Sequence, residues 1–357
     1  MKRDEGIVRV ETRAVDVGYF NVKYTLGRKD RSGTMEIAAG LFPALAPRLA
    51  TNVFMHSPGT TRSDGCVVDV NGVSYFVGRG AVYYCSGMEP RPVLEDYSLS
   101  DKYLALLRGA LSYMAIDAGA SQELTIEQLV LGLPMSTYHR YHAGLAARAE
   151  GEHVITDPVG GTGSRRVIVQ KAQVIVQPQG ALINFGVQHR MAGQDGWVLV
   201  VDPGGGTLDW FLSRGREPNW QRSGAYPKSM LACANAVADK IDPAWKDQFD
   251  IIERIDLAIR ARAESFKVGG KVYKMADFQQ SVEAVLDESV DYMLSVVGPT
   301  ANLDHILLTG GAAGIFFEYI KRRHPKLEPV MRIDEDPVFS NVRGFHIAGE
   351  VFNARWR

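Results

Sequence analysis

Val200-Val201-Asp202-Pro203-Gly204-Gly205-Gly206-Thr207-Leu208-Asp209 is the segment of the chain that is most informative about its fold. Apolar runs before and after it predict a buried strand over Trp197–Val201, a glycine turn and a return strand over Leu208–Leu212. Successive glycines let the backbone approach a ligand, and their N–H groups, with the Thr207 hydroxyl, can converge on an anion. Strand alternation directs Asp202 into the same space, where an acid beside a phosphate requires a cation between them. The stretch therefore predicts phosphate and Mg²⁺ binding; the alternative is a tight hairpin with solvated acids.

A turn of the same form lies near the beginning of the chain. Asp16 ends one β-rich run, Gly18 turns the chain, and a second β-rich run follows at Asn21–Leu26. This pattern predicts a hairpin, to which Asn21 adds an amide and Lys23 a cation. The alternative for Lys23 is an exposed lysine on an alternating strand. One such hairpin in each half of the chain predicts two lobes of similar form around a nucleotide.

A third glycine element is Thr309-Gly310-Gly311-Ala312-Ala313-Gly314. It lies between a predicted strand, His305–Leu308, and a predicted helix that runs to Arg323. A helix N-terminus with close backbone contact could hold the nucleoside or the phosphates. The alternative is a plain turn between a strand and a helix.

The rest of the pattern alternates strands with helices, which predicts an α/β protein. Leu129–Leu133 is typical of a buried strand, and Val167–Val176 of a pair of strand segments. Apolar residues at helical spacing predict helices over Asp101–Ala118, Lys228–Lys240, Ile251–Ala263 and Ala276–Val297.

The overall composition narrows the class of protein. The 357 residues are enough for two hydrophobic cores, and a formal net charge of −1 predicts no strong direct binding to nucleic acid or membrane. The cysteines, Cys66, Cys85 and Cys233, are odd in number and form no CxxC pair. They favour neither a disulfide framework nor a zinc site, so we expect a cytoplasmic protein.

Taken together, the motifs resemble those of the actin/heat-shock ATPase superfamily. The stretch from Asp202 to Asp209 resembles its second phosphate motif, and the stretch from Asp16 to Lys23 its first. Leu308–Ala312 is similar to its adenosine motif. Gln177–Ala181 lies where the family has a connecting helix and the residue that orients the attacking water.

Within the superfamily, the sequence most resembles the plasmid-segregating bacterial actins of the ParM/StbA group. Leu131–Tyr138 is similar to that group's Leu-Pro-Leu-x-x-Tyr segment, and Ser340–Phe345 to its closing Asn-x-x-Gly-aromatic segment. His305–Gly311 follows a long helix, as it does in that group.

The resemblance implies an actin-like fold with two ribonuclease-H-like lobes and a nucleotide cleft between them. Lobe I would span 1–190 with an inserted subdomain at about 31–125, and the C-terminal helix, about 343–357, would rejoin it. Lobe II would span 191–342 with a helical subdomain at about 231–300.

The resemblance also implies a set of site residues for ATP or GTP with Mg²⁺. The metal would lie at Asp16 and Asp202, and Asp202 would be catalytic. Either Gln179, in the register of the plasmid group, or Gln177, in that of the chaperones, would orient water. The nucleotide-binding residues would be Asp16, Gly18, Asn21, Lys23, Gly204, Gly205, Gly206, Thr207, Gly310, Gly311, Ala312 and Gly314.

Three positions depart from the family pattern. Pro203 replaces an aliphatic residue and removes an N–H donor, and Tyr19 replaces a small residue that contacts phosphate. Glutamine replaces the usual glutamate near the attacking water. Because glutamine positions water but is a poor base, we expect slow hydrolysis.

The function implied by resemblance is a nucleotide-driven filament that separates plasmid copies through a DNA-bound adaptor protein. One alternative is a monomeric chaperone-like or sensor ATPase of the same fold. The other is a sugar or acetate kinase, which would need a catalytic acid in lobe I that no segment announces.

Overall fold

The computed structural model describes residues 6–49, 64–88, 93–156, 163–189, 196–215 and 217–354. Eight strands of the first half form one sheet, in the order β3-β2-β1-β6-β8-β7-β4-β5. The strands are β1 (Ile7–Val17), β2 (Asn21–Arg31), β3 (Thr34–Pro43), β4 (Cys66–Val70), β5 (Val73–Val77), β6 (Glu123–Leu133), β7 (Gly151–Thr156) and β8 (Ser164–Val176).

The second half forms another sheet and a separate small hairpin. Its strands are β9 (Trp197–Pro203), β10 (Leu208–Arg214), β11 (Glu217–Pro218), β12 (Gly224–Tyr226), β13 (Ser265–Val268), β14 (Lys271–Lys274), β15 (His305–Leu308) and β16 (Met331–Ile333). The sheet has the order β11-β10-β9-β15-β16, with β12 also paired to β10, while β13 and β14 pair only with each other.

Helices cover the faces of both sheets. The α-helices are α1 (Asp101–Asp117), α2 (Met135–Ala149), α3 (Gln177–Gln188), α4 (Met230–Ile241), α5 (Phe249–Arg260), α6 (Gln279–Val297), α7 (Ala313–Arg323) and α8 (Ser340–Ala354). Short 3-10 helices occur at Arg79–Tyr84, Tyr97–Leu99, Trp220–Arg222, Pro243–Asp247, Met275–Phe278 and Pro325–Val330. No helix in the described parts of the chain is long and apolar enough to cross a membrane.

The two large sheets share one layout at their centres. In the first, β1 pairs antiparallel with β2 and parallel with β6. In the second, β9 pairs antiparallel with β10 and parallel with β15. The two hairpins of similar sequence pattern therefore occupy equivalent positions in two sheets of similar central topology, and both hairpin turns lie at the same end of their sheets.

Each sheet has its own core. We call the first sheet with α1, α2, α3 and α8 lobe I, and the second sheet with α4 to α7 lobe II. The central helix of the first core carries Leu106, Leu107 and Leu111, all fully buried. Phe316 and Trp210 are equally buried in the second core. The boundaries between the two lobes, at 190 and 342, remain our proposal. We assign α8 to lobe I because it packs on β1 and β6.

The structure differs from the sequence predictions in two places. Val167–Val176, predicted as two segments, is part of one strand, because the backbone of β8 pairs with β6 and β7 whatever side chain it carries. The subdomain at about 231–300, predicted as helical, contains the β13–β14 hairpin. Its turn is Gly269-Gly270, both with positive φ, a two-residue hairpin signal that the sequence already contained.

Candidate nucleotide site

A cleft of about 220 Å³ separates the lobes where the strand ends meet. The glycine elements predicted from the sequence all reach it. The predicted residues that line it are Asp16, Gly18, Asn21, Lys23, Gln177, Asp202, Gly204, Gly205, Gly206, Thr207, Gly310 and Gly311. The other three, Gln179, Ala312 and Gly314, are not among the lining residues.

Asp16 is held in place by residues of lobe I. It lies at the end of β1 with 1% of its surface exposed and pairs across the hairpin with Lys23. Lys23 Nζ donates to Asp16 Oδ2 at 2.9 Å, and Gln177 Nε2 donates to Asp16 Oδ1 at 2.7 Å. Burial favours the neutral amine, but the Asp16 carboxylate outweighs it and raises the pKa of Lys23. Lys23 is therefore a partly buried cation that lines the cleft.

Asp202 occupies the matching position in lobe II, at the end of β9. Asn341 Nδ2 donates to its Oδ2 at 2.6 Å. Burial raises the pKa of Asp202 to about 6, against the opposing effect of Lys23. Gly310 lies beside it with φ 75°, and a Cβ there would overlap Asp202 Oδ1. Only glycine suits both the backbone angle and this close approach.

These carboxylates fit a hydrated Mg²⁺ ion better than a metal held by protein alone. Within the described ranges, no group of three or more His, Cys, Asp or Glu side chains is arranged to hold a metal. Mg²⁺ in phosphate sites keeps several waters and takes one or two carboxylates together with the phosphates. Asp16 and Asp202 supply that donor set, and the raised pKa of Asp202 indicates a carboxylate that additional positive charge would stabilise.

Aromatic side chains from the turn of lobe I cover the glycine turn of lobe II. Phe20 belongs to the hydrophobic core of lobe II, and a Cβ on Gly205 would overlap its ring. A Cβ on Gly206 would lie 2.6 Å from the ring of Tyr19, which stacks on Tyr97 with centroids 4.9 Å apart. Glycine is required here by packing between the lobes as well as by any ligand.

Two arginines at or just after the end of α5, which the sequence did not indicate, form hydrogen bonds with the third glycine element. Arg260, at the end of α5, donates to the Gly311 carbonyl at 2.9 Å, and its guanidinium lies over Phe20. Arg262 donates to the Gly314 carbonyl at 3.3 Å. Gly314 is the second residue of α7, so the predicted turn ends where this helix begins.

The functional candidates missed by sequence are Arg260, Arg262 and Asn341. Only Asn341 lay within a segment that carried a resemblance, the closing segment Ser340–Phe345. The arginines carry no local signal, because a basic residue near the end of a helix is common and stabilises the helix dipole.

Residues 14–180 match the model for the N-terminal domain of actin-like proteins. No curated protein sequence matches the chain. The actin-like protein Alp7A superposes with TM-score 0.72 at 15% identity, covering 98% of each chain.

Two further solved structures have the same fold. A 15-stranded ParM filament from Clostridium botulinum gives TM-score 0.71 at 18% identity, covering 97% of this chain and 100% of that chain. The archaeal actin homologue Ta0583 in complex with ADP gives 0.69 at 18%, covering 96% and 100%. At these identities the likeness is one of fold.

Proposed function

We propose that this chain is a slow nucleoside triphosphatase that assembles into filaments, because it has the actin-like fold and its residues 14–180 match the N-terminal domain of actin-like proteins. The observation that carries the proposal is the meeting of Asp16, Asp202 and the Gly204–Thr207 turn at one cleft between two lobes. Two buried carboxylates and a glycine turn suit a phosphate chain with its cation. The ADP complex of the archaeal homologue supports the same ligand class.

The glycine turn of lobe II, the carboxylates of Asp16 and Asp202, and the Gln177 amide each have a role in this proposal. Backbone N–H groups of Gly205–Thr207 would bind phosphate oxygens, since the Gly204 N–H already donates to the Thr207 carbonyl, and Asp16 and Asp202 would hold Mg²⁺. When bound, Mg²⁺ neutralises charge on the phosphates. The Gln177 amide, hydrogen-bonded to Asp16, orients the attacking water, but it cannot serve as an effective base, so turnover is slow.

The nucleoside has a second cleft available beside the phosphates. A space of about 610 Å³ opens between α5, α6 and α7, with Ile259 and Ile315 among its apolar lining. Arg262 and Glu264 supply polar groups there. Arg260 lines the phosphate cleft, and Arg262, two residues further along the chain, lines this second space. We propose that the base of ATP or GTP lies here.

Filament formation for plasmid segregation is the finer part of the proposal. The solved ParM filament and the segments Leu131–Tyr138 and Ser340–Phe345 support it. Head-to-tail contacts between identical subunits are open-ended unless a ring closes, and nucleotide drives assembly by favouring one arrangement of the lobes. A DNA-bound adaptor would connect the filament to its cargo in the cytoplasm. The alternatives are a monomeric sensor ATPase and a sugar or acetate kinase.

Binding and assembly can be tested with one protein preparation. Calorimetry with ATP and GTP, with and without Mg²⁺, should give Mg²⁺-dependent binding at micromolar to millimolar concentrations. Pelleting and negative-stain microscopy at tens of micromolar protein should then show filaments with nucleotide that disassemble after hydrolysis. No heat and no thermal shift with either nucleotide would refute nucleotide binding. Binding without assembly under any nucleotide would favour the sensor ATPase.

The two glutamines of α3 provide a matched pair of variants. Gln177→Ala should slow hydrolysis by about 10-fold or more with little change in nucleotide affinity, because a residue that orients water acts mainly in the transition state. Gln179→Ala, two residues further on and outside the cleft lining, is the control and should turn over normally. Single-turnover kinetics and calorimetry measure the two quantities. A larger loss at Gln179 would reverse the assignment.

A further inference from the structure

Asp209 is a buried carboxylate in the cleft to which the proposed hydrolysis assigns no role. It lies on β10 with 2% of its surface exposed, directly opposite Asp202 in the β9–β10 pair. Its Oδ2 accepts from the Thr207 hydroxyl at 2.6 Å. Its Oδ1 accepts from the backbone N–H of Met135 at 3.0 Å. Asp209 thus joins the end of the glycine turn to another element.

That other element belongs to the opposite lobe. Met135 is the first residue of α2, which packs on β6 and β8 of lobe I. The N-cap residue of α2 is Pro134, whose side chain has no hydrogen-bond acceptor. The first N–H groups of a helix need acceptors from outside it, and negative charge is favoured there. A carboxylate from lobe II therefore caps a helix of lobe I.

A second contact makes the first turns of α2 a point of attachment between the lobes. The His139 ring lies 5.4 Å from that of Trp220, which in turn packs edge-on against Phe211 of β10. The polar contact at Met135 and the aromatic contact at His139 are about one helical turn apart. The start of α2 is thus held against lobe II at two points.

The Thr207 hydroxyl links this attachment to the ligand. A threonine hydroxyl has one proton to donate, and here it goes to Asp209. A phosphate bound at the glycine turn would compete for the same proton. Once that proton is taken, only the backbone N–H of Met135 remains of the two donors to Asp209, and a carboxylate with fewer donors forms a stronger hydrogen bond with the one that is left.

We propose that Asp209 is a positioning residue that couples phosphate binding at the Thr207 turn to the hold of lobe II on α2. The proposal rests on nucleotide binding in the cleft and adds to it the route by which the ligand changes the arrangement of the lobes. Phosphate binding tightens the Asp209–Met135 contact and draws the lobes together at α2. The linkage needs no movement of Asp202 or Gln177.

Hydrogen exchange of the full chain tests the coupling. In the wild type, Mg²⁺ with a non-hydrolysable ATP or GTP analogue should slow exchange of amides 135–138 by several-fold. Asp209→Ala should speed exchange of these amides by about tenfold without ligand, as loss of a capping side chain does, and abolish the response to ligand. Thr207→Val removes the hydroxyl proton but keeps the shape of the side chain. It should abolish the response to ligand and leave exchange without ligand unchanged. Asp304→Ala is the control, since Asp304 also accepts a backbone N–H, that of Trp197, but is not among the residues that line the cleft.

Calorimetry on the same samples distinguishes a failure of the proposed coupling from a failure of nucleotide binding. If the wild type binds the analogue and amides 135–138 do not respond, the coupling is wrong and nucleotide binding stands. The same conclusion holds if Thr207→Val binds the analogue and responds like the wild type. If the wild type binds neither nucleotide, the proposed function fails and the coupling fails with it.

Discussion

Asp202→Ala is expected to reduce nucleotide hydrolysis by about 10²-fold or more while the protein stays folded. Asp202 lies at the end of a buried strand and lines the cleft, where its carboxylate would be the lobe II contribution to the proposed cation site. Loss of a group that stabilises charge in the transition state affects turnover more than binding. Phosphate release under saturating nucleotide measures the effect, and thermal unfolding checks the fold.

The control for this variant is at the other end of the same strand. Asp304 accepts the N–H of Trp197, where β9 begins, and is exposed. Asp304→Ala should therefore hydrolyse nucleotide like the wild type. If the protein forms filaments, those of Asp202→Ala should assemble with nucleotide and persist, because disassembly needs hydrolysis. Wild-type turnover in Asp202→Ala would mean that this carboxylate is only a turn residue.

Gly344→Ala is expected to lower the free energy of unfolding by about 3 kcal/mol, near the upper end for overpacking. Gly344 lies where α8 crosses α3, and a Cβ there would overlap the carbonyl oxygen of Gly180. That neighbour is backbone inside a helix and cannot rotate away. Alanine would gain up to about 1 kcal/mol in helix propensity, too little to offset the overlap.

Gly186→Ala is the matched control for this prediction. Gly186 is also a helical glycine, in α3, but a Cβ there would meet no atom within 4 Å. It should be neutral or stabilise the protein slightly, since only helix propensity changes. Denaturant midpoints of both variants measure the difference. Equal stability of the two would show that α8 can shift on α3 at no cost.

Gly344→Ala should also weaken nucleotide binding. Asn341, one turn earlier in α8, donates to Asp202 across the cleft, and Phe345 packs against Gly132 and Gly180. Displacing α8 would therefore remove a hydrogen bond from the cation site. Calorimetry should show reduced affinity even at temperatures where the variant is folded.

The sequence identified the parts of the site that are local in the chain. Asp16 with Gly18, and Asp202 with Gly204–Gly206, are each defined within one hairpin, because a turn and its flanking strands fix which side chains point the same way. The order of strands and helices predicted the α/β class, the resemblance of the motifs implied the actin-like fold, and the fold comparisons confirm both.

Contacts between distant segments could be decided only by tertiary structure. Asn341 reaches Asp202 from 139 residues away, and Gln177 reaches Asp16 from 161. The resemblance to the plasmid group favoured Gln179 as the residue that orients water, with Gln177 as the alternative, and only the packing of α3 shows that Gln177 is the one that lines the cleft. Phe20 illustrates the same limit: the sequence shows an aromatic residue in a turn, and the fold inserts it into the core of the other lobe. The order of side chains along the sequence sets the hydrophobic period and the positions of turns, which are local properties. Burial of a side chain against another element depends on how the whole chain folds.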